Sequence, residues 1–96
     1  MRNRYVVSYD IVDDRRRDRV FKLLRGWGDH LQYSVFQCDV SPRERHELIA
    51  QLVELIHLTE DKVLLADLGP VTGRGRRSIT AIGRPHTFPE RHAVVV

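Results

Sequence analysis

Cysteine is nearly missing from this chain. Cys38 is the only one among 96 residues. No internal disulfide can form, and one thiol with scattered histidines makes no zinc site of the usual kind. The expected compartment is therefore reducing, the cytoplasm, and Cys38 reads as a small buried hydrophobe on a strand. Long apolar runs are missing too. None approaches the roughly 20 residues that cross a bilayer. The Met1-Arg2-Asn3-Arg4 start precedes only a short apolar run without a cleavage site, so no signal peptide is expected. The usual ligand sets for hydrolysis are absent: no His-Glu-x-x-His, no paired-carboxylate constellation, no Gly-x-Ser-x-Gly and no phosphate loop. The Gly-Arg-Gly-Arg-Arg stretch at 73–77 lacks the strand-to-helix context of a nucleotide-binding glycine motif. The five histidines, at 30, 46, 57, 86 and 92, share no face and read as surface residues.

What is present is one domain's worth of ordinary globular sequence, 42% hydrophobic and 30% charged. A chain this short buries roughly 60–70% of its unfolded surface, which leaves little room for a deep, enclosed site. The net charge of +3 hides an asymmetry. Residues 1–26 carry eight basic and four acidic side chains, residues 39–67 carry three and seven, and residues 68–84 carry four and none. One part of the surface should be strongly positive, which suits a polyanion such as nucleic acid.

Arg4–Ile11 is rich in β-branched and aromatic residues with little alternation, which predicts a strand buried on both faces. Asp13 and Asp14 sit where a helix cap belongs. Val20, Phe21, Leu23, Leu24 and Trp27 make an apolar helical stripe, with Arg15, Arg19, Lys22 and Arg25 on the other side and Gly28 as the stop. Residues 31–40 are again strand-like. Ser41-Pro42-Arg43-Glu44 predicts a capping box, and Leu48 to Ile56 a second amphipathic helix. Lys62–Leu68 is extended, residues 72–77 form a basic turn, and Ser78–Ile82 is expected as a short strand. This order fits an α+β, ferredoxin-like βαββαβ sandwich, with two helices on one face of an antiparallel sheet and an extra C-terminal strand. Residues 1–84 would be the domain. Residues 85–96, ending in four apolar residues, would be a tail that pairs with the sheet edge of a second copy. That fold needs two strands between its helices, so either a bend falls near Ser34 or the strand count differs.

Asp10 closes a strand that is otherwise almost wholly apolar. A carboxylate is costly to bury there without a cation or donors, so metal binding and capping a turn both fit. Mg²⁺ keeps several waters and takes only one or two protein carboxylates. A two-fold dimer would supply Asp10 twice, and a metal-bound water could attack a phosphodiester.

Tyr9-Asp10-Ile11, Asp13-Asp14, Arg16, Arg17 and Arg19, followed by Gln32-Tyr33-Ser34-Val35-Phe36, resemble CRISPR-associated protein two, the small partner of the CRISPR integrase. The resemblance covers at least residues 4–68. It implies a homodimer in CRISPR spacer acquisition, with Mg²⁺ (Mn²⁺ also possible) held between two copies of Asp10, and endonuclease activity on RNA or DNA. It implies alternatively a non-catalytic adaptor that bridges integrase dimers. By motif, Tyr9, Asp10, Arg17, Arg19 and Phe36 match positions tied to that chemistry. Arg15, Arg16, Arg17, Arg19, Lys22, Arg74, Arg76 and Arg77 are the expected nucleic-acid contacts. Each has a simpler reading: sheet packing for Tyr9, core for Phe36, a salt bridge to Asp13 or Asp14 for Arg17, a solvated helix face for Arg19. His30 stands where the family often has a basic residue. An RNA-binding module of the RRM type is disfavoured, because Lys62–Leu68 contains no aromatic residue.

Overall fold

The computed structural model describes residues 1–72 and 79–84. Its elements are β1 (Asn3–Asp10), α1 (Asp14–Trp27), β2 (Asp29–Gln32), β3 (Val35–Val40), α2 (Pro42–Leu55) and β4 (Lys62–Pro70). The strands form one antiparallel sheet in the order β2-β3-β1-β4. That is the ferredoxin-like arrangement, with both helices on one face. The two strands between the helices arise from a two-residue turn, Tyr33-Ser34, and β2 begins at Asp29 rather than at residue 31. Tyr33 takes the left-handed backbone (φ 39°) that such a tight hairpin demands.

Local chemistry accounts for the helix ends. Asp13 is the N-cap of α1 and accepts from the Arg16 amide, while Asp14 is already inside the first turn. Ser41 and Glu44 form the reciprocal capping box of α2 with Pro42 at its start. Gly28 does stop α1, but not through handedness. Its φ of −161° is extended backbone. Glycine is needed because a Cβ there would drive into the Gln37 carbonyl and lie 2.7 Å from the Cys38 sulfur. The end of α1 is thereby pressed onto β3.

The core lies between the sheet and the helices. Val20 and Leu24 of α1 and Leu48 and Leu52 of α2 close over Tyr5, Val7, Tyr9, Phe36, Cys38 and Val40. Fully burying each such aliphatic side chain is worth about 1.5–3 kcal/mol.

Two expectations about exposure are corrected. β1 is buried on one face only: Tyr5, Val7 and Tyr9 are covered, whereas Val6 and Ser8 are half-exposed and Asp10 is exposed. The cause is the single helical layer, which covers one side of the sheet. Asp10 is therefore not a buried carboxylate, and the cost of burying one does not apply to it.

The other sheet face is largely apolar and, among the described residues, only partly covered: Gln37 on it is buried, whereas Leu64 and Ala66 are exposed. Register places Val6 beside Ala66 and Gln37, and Ser8 beside Leu64 and Val35. Leu64 is 60% exposed. Ile79–Ile82, expected as part of a strand, is not in one. Ile79 and Ala81 instead lie against Val6, Leu31 and Val35 around a cavity of about 220 Å³. Arg74, Arg76, Arg77 and the 85–96 tail lie outside the described residues.

Candidate functional site

Asp10 ends β1 on the open face of the sheet, directly across from Lys62, the first residue of β4. Both side chains are exposed. Among the described residues, nothing hydrogen-bonds or ion-pairs with the Asp10 carboxylate. The capping work belongs to its neighbours: Asp13 caps α1, and Asp61 accepts from the Val12 amide at 3.0 Å. Among the described residues, Asp10 caps no turn.

The backbone that carries Asp10 is held on every side. Ile11, 4% exposed, is packed into the core. Arg17 donates to the Ile11 carbonyl at 3.0 Å and also pairs with Asp14. Below Asp10, Tyr9 stacks on Phe36 with ring centroids 6.4 Å apart, and the Tyr9 amide donates to the Ser34 carbonyl at 3.1 Å. Tyr9 is 6% and Phe36 0% exposed. Burial pushes the Tyr9 phenol above its ordinary value, against the opposing pull of nearby Arg17. It therefore stays a neutral phenol near pH 7. Tyr9 and Phe36 form the floor beneath Asp10 rather than its surface.

The basic residues of α1 divide into two groups. Arg16 makes a fork to Asp61 (2.8 and 3.3 Å) and reaches Glu60 at 3.1 Å. Arg17 is engaged as described, and Lys22 pairs with Asp18 at 3.0 Å. Arg15 and Arg19 are exposed, one turn apart, and have no ion-pair partner among the described residues. Exposed pairs such as Lys22–Asp18 are weak and leave the cation available, so Arg15, Arg19 and Lys22 form the accessible basic stripe. His30 is engaged within the fold. Its ring lies 4.9 Å from Phe36 and 5.1 Å from Phe21, and its Nε2 hydrogen-bonds the Tyr33 carbonyl at 2.7 Å.

Among the described residues no three His, Cys, Asp or Glu side chains could hold a metal ion together. At the end of β1 Asp10 would offer a divalent cation one exposed carboxylate from each protomer. That fits Mg²⁺, which keeps most of its waters, provided a second copy supplies another oxygen ligand.

Residues 2–72 match the family described as CRISPR associated protein Cas2. The chain belongs to that family. It is 42% identical over 89 residues to a CRISPR-associated endoribonuclease Cas2 of Chloroflexus aurantiacus, covering 93% of this chain and 95% of that one. It is 38% identical over 96 residues to one of Geobacter sulfurreducens, covering all of both. Solved structures agree. Streptococcus pyogenes Cas2, crystallised at pH 6.5, superposes with a TM-score of 0.71 at 28% identity, over 83% of this chain and 99% of that one. A hypothetical protein from Thermus thermophilus superposes with a TM-score of 0.70 at 26% identity, over 94% and 98%. No helix among the described residues is long and apolar enough to cross a membrane.

Sequence reasoning missed Asp61. Its side chain is fully covered, and it accepts from the Val12 and His57 amides as well as from Arg16. The hydrogen bond from Arg16 is the main reason its carboxyl is held well below the usual carboxylate range, with burial opposing. Glu44, gripped by the Arg2 fork and by the Ser41 amide, is lowered to about 2. Both groups titrate lower when folded than when unfolded. Their contribution is complete above the unfolded carboxylate range, about pH 4.5, and is lost as pH falls through their folded values. The thermal midpoint should be nearly flat from pH 7 to about 5 and then fall steeply toward pH 2. Asp61→Asn should lower the midpoint at pH 7 and flatten the acid limb, as measured by circular dichroism melts across pH.

Proposed function

We propose that this chain is a metal-dependent endonuclease of CRISPR spacer acquisition, working as a homodimer in which a divalent cation, Mg²⁺ or Mn²⁺, sits between the two copies of Asp10. One observation carries the reading: Asp10 is an exposed carboxylate that no other described residue engages, mounted on a backbone held by its neighbours on either side. The relatives' description as endoribonucleases supports RNA as a substrate. When bound, the cation would supply an activated water and neutralise charge on the phosphodiester. The protein's own part is to hold Asp10 still, to keep it solvent-open on the sheet's open face, and to present Arg15, Arg19 and Lys22 toward the nucleic-acid backbone. Arg17 holds the Ile11 carbonyl, and Tyr9 and Phe36 brace the strand beneath Asp10. The open apolar face is where the second copy would sit, and the 85–96 tail would add an edge strand to it.

A second reading is supported by the accessible basic stripe: a non-catalytic adaptor that carries a DNA duplex and docks the integrase. Both readings require phosphate contacts, so affinity must fall steeply with salt, with a log–log slope of about −0.9 per phosphate neutralised on B-DNA. Replacing Arg15 and Arg19 by Ala should flatten that slope by up to about 2 for each protomer that contacts the nucleic acid, without loss of fold. Removing Arg74, Arg76 and Arg77 should flatten it further. Fluorescence anisotropy with labelled RNA and DNA between about 50 and 300 mM salt measures this. A wild-type slope near zero would end both readings. Metal-dependent cleavage of RNA or DNA by the purified chain separates them.

A further inference from the structure

We propose that Asp61 is a positioning residue for the Asp10 site, a clamp that locks the backbone just after Asp10 onto the α2–β4 loop. The inference rests on the metal-dependent reading above.

Asp61 uses its full acceptor capacity. One carboxylate oxygen takes the Val12 amide at 3.0 Å and an Arg16 Nη2–H at 3.3 Å. The other takes Arg16 Nε–H and the His57 amide, each at 2.8 Å. Four donors on two oxygens is what an ionised carboxylate can satisfy and an amide cannot, since an amide has one acceptor oxygen and two N–H groups. The anchor itself is stiff. The amides of Glu60 and Asp61 both return to the His57 carbonyl, at 3.2 and 2.8 Å, and the Glu60 amide also reaches His57 Nδ1 at 3.2 Å.

The placement of this clamp carries the argument. Val12 lies two residues after Asp10, and Asp61 immediately precedes Lys62, the cross-strand neighbour of Asp10. One carboxylate thus fixes the loop leaving β1, the first turn of α1 through Arg16, and the start of β4. Ile11 is pinned from the other side by the core and by Arg17. A ligand carboxylate must hold its position within a fraction of an ångström to share a cation with a second copy. A misplacement of about 1 Å in such a site costs on the order of 100-fold in rate. Arg16 is consumed by this clamp, which also explains why it stands apart from the accessible basic stripe.

The test uses three forms of the full chain. Asp61→Asn removes the charge and half the acceptor capacity. An amide-to-ester replacement at position 12, made by incorporating the α-hydroxy analogue of valine, removes the Val12 N–H outright and leaves the Ile11 carbonyl in place as a weaker acceptor for Arg17. Glu60→Gln is the control: it removes a charge beside Arg16 and leaves every Asp61 contact in place. With Mn²⁺ and single-stranded RNA, the Asn variant and the ester should each lose about tenfold or more in kcat with KM within about twofold. Amide exchange, read by NMR, should quicken about tenfold or more, at Val12 in the Asn variant and at Asp13 and Asp14 in the ester. Glu60→Gln should match wild type in both readouts. If Asp61→Asn fails to fold, the ester carries the test. A folded ester or Asn variant with unchanged kcat in an active enzyme would overturn the positioning role alone. Wild type without cleavage under any divalent cation would overturn the nuclease reading, and the positioning role with it.

Discussion

Asp10→Asn should leave a folded protein that binds RNA at least as tightly as wild type and cleaves it slower by about a thousandfold or more. The side chain is exposed and, among the described residues, has no hydrogen-bond or ion-pair partner, so the thermal midpoint should stay within a few degrees. Removing one negative charge from a surface that meets phosphates lowers repulsion, so affinity should hold or rise. A divalent cation needs that charge, because Mg²⁺ binds few protein ligands and each is worth correspondingly more. The same variant also separates the two functional readings. If the chain acts only as an adaptor, Asp10→Asn should still support spacer integration beside its integrase partner. Cleavage by the variant equal to wild type would remove Asp10 from the chemistry and point to a contaminating nuclease.

The physical origin of each element decides how far it could be seen in the sequence. The Ser41–Glu44 capping box and the apolar stripe of α1 are local signals, and both helices follow from them. Strand β4 was visible for the same reason: a short apolar run ended by Gly69-Pro70. The division of residues 29–40 into two strands was only half visible. The turn is made by Tyr33 in a left-handed conformation, with no glycine or proline to announce it. Gly28 shows a different limit. Its place at a helix end was legible, but its cause, the approach of β3, depends on a contact between segments ten residues apart. Asp10, Arg17 and Arg19 stood out through their motif. Asp61 did not, because nothing local distinguishes it from the six other acids between residues 39 and 67; only folding brings it to Val12 and Arg16. The reading of β1 as buried on both faces also carries information. Its unbroken apolar character is more than one helical layer requires: on the other face Leu64 and Ala66 are left exposed, while Val6 and Val35 are covered only in part, beside the segment that carries Ile79 and Ala81.

The proposed dimer would cover that face. Leu64→Arg should convert the protein to a monomer and abolish cleavage. Leu64 is 60% exposed in one protomer, so an arginine there meets water at no cost to the fold, and the monomer should melt as a two-state unit. In a face-to-face dimer the same position is covered. Burying an unpaired guanidinium costs several kcal/mol, and two-fold symmetry inflicts it twice, which raises the dimer dissociation constant by a factor of at least about 100. Asp10 lies on this same face, so separation of the copies leaves each cation with one carboxylate. Cleavage should fall about as far as in Asp10→Asn. Binding to nucleic acid should weaken but persist, because Arg15 and Arg19 lie on α1 across the molecule from the sheet's open face. Sedimentation and light scattering on the variant and wild type, alongside RNA cleavage at matched protomer concentration, decide the matter. A monomeric variant that still cleaves at the wild-type rate would show that one Asp10 suffices. A variant that remains dimeric would place the second copy on another surface.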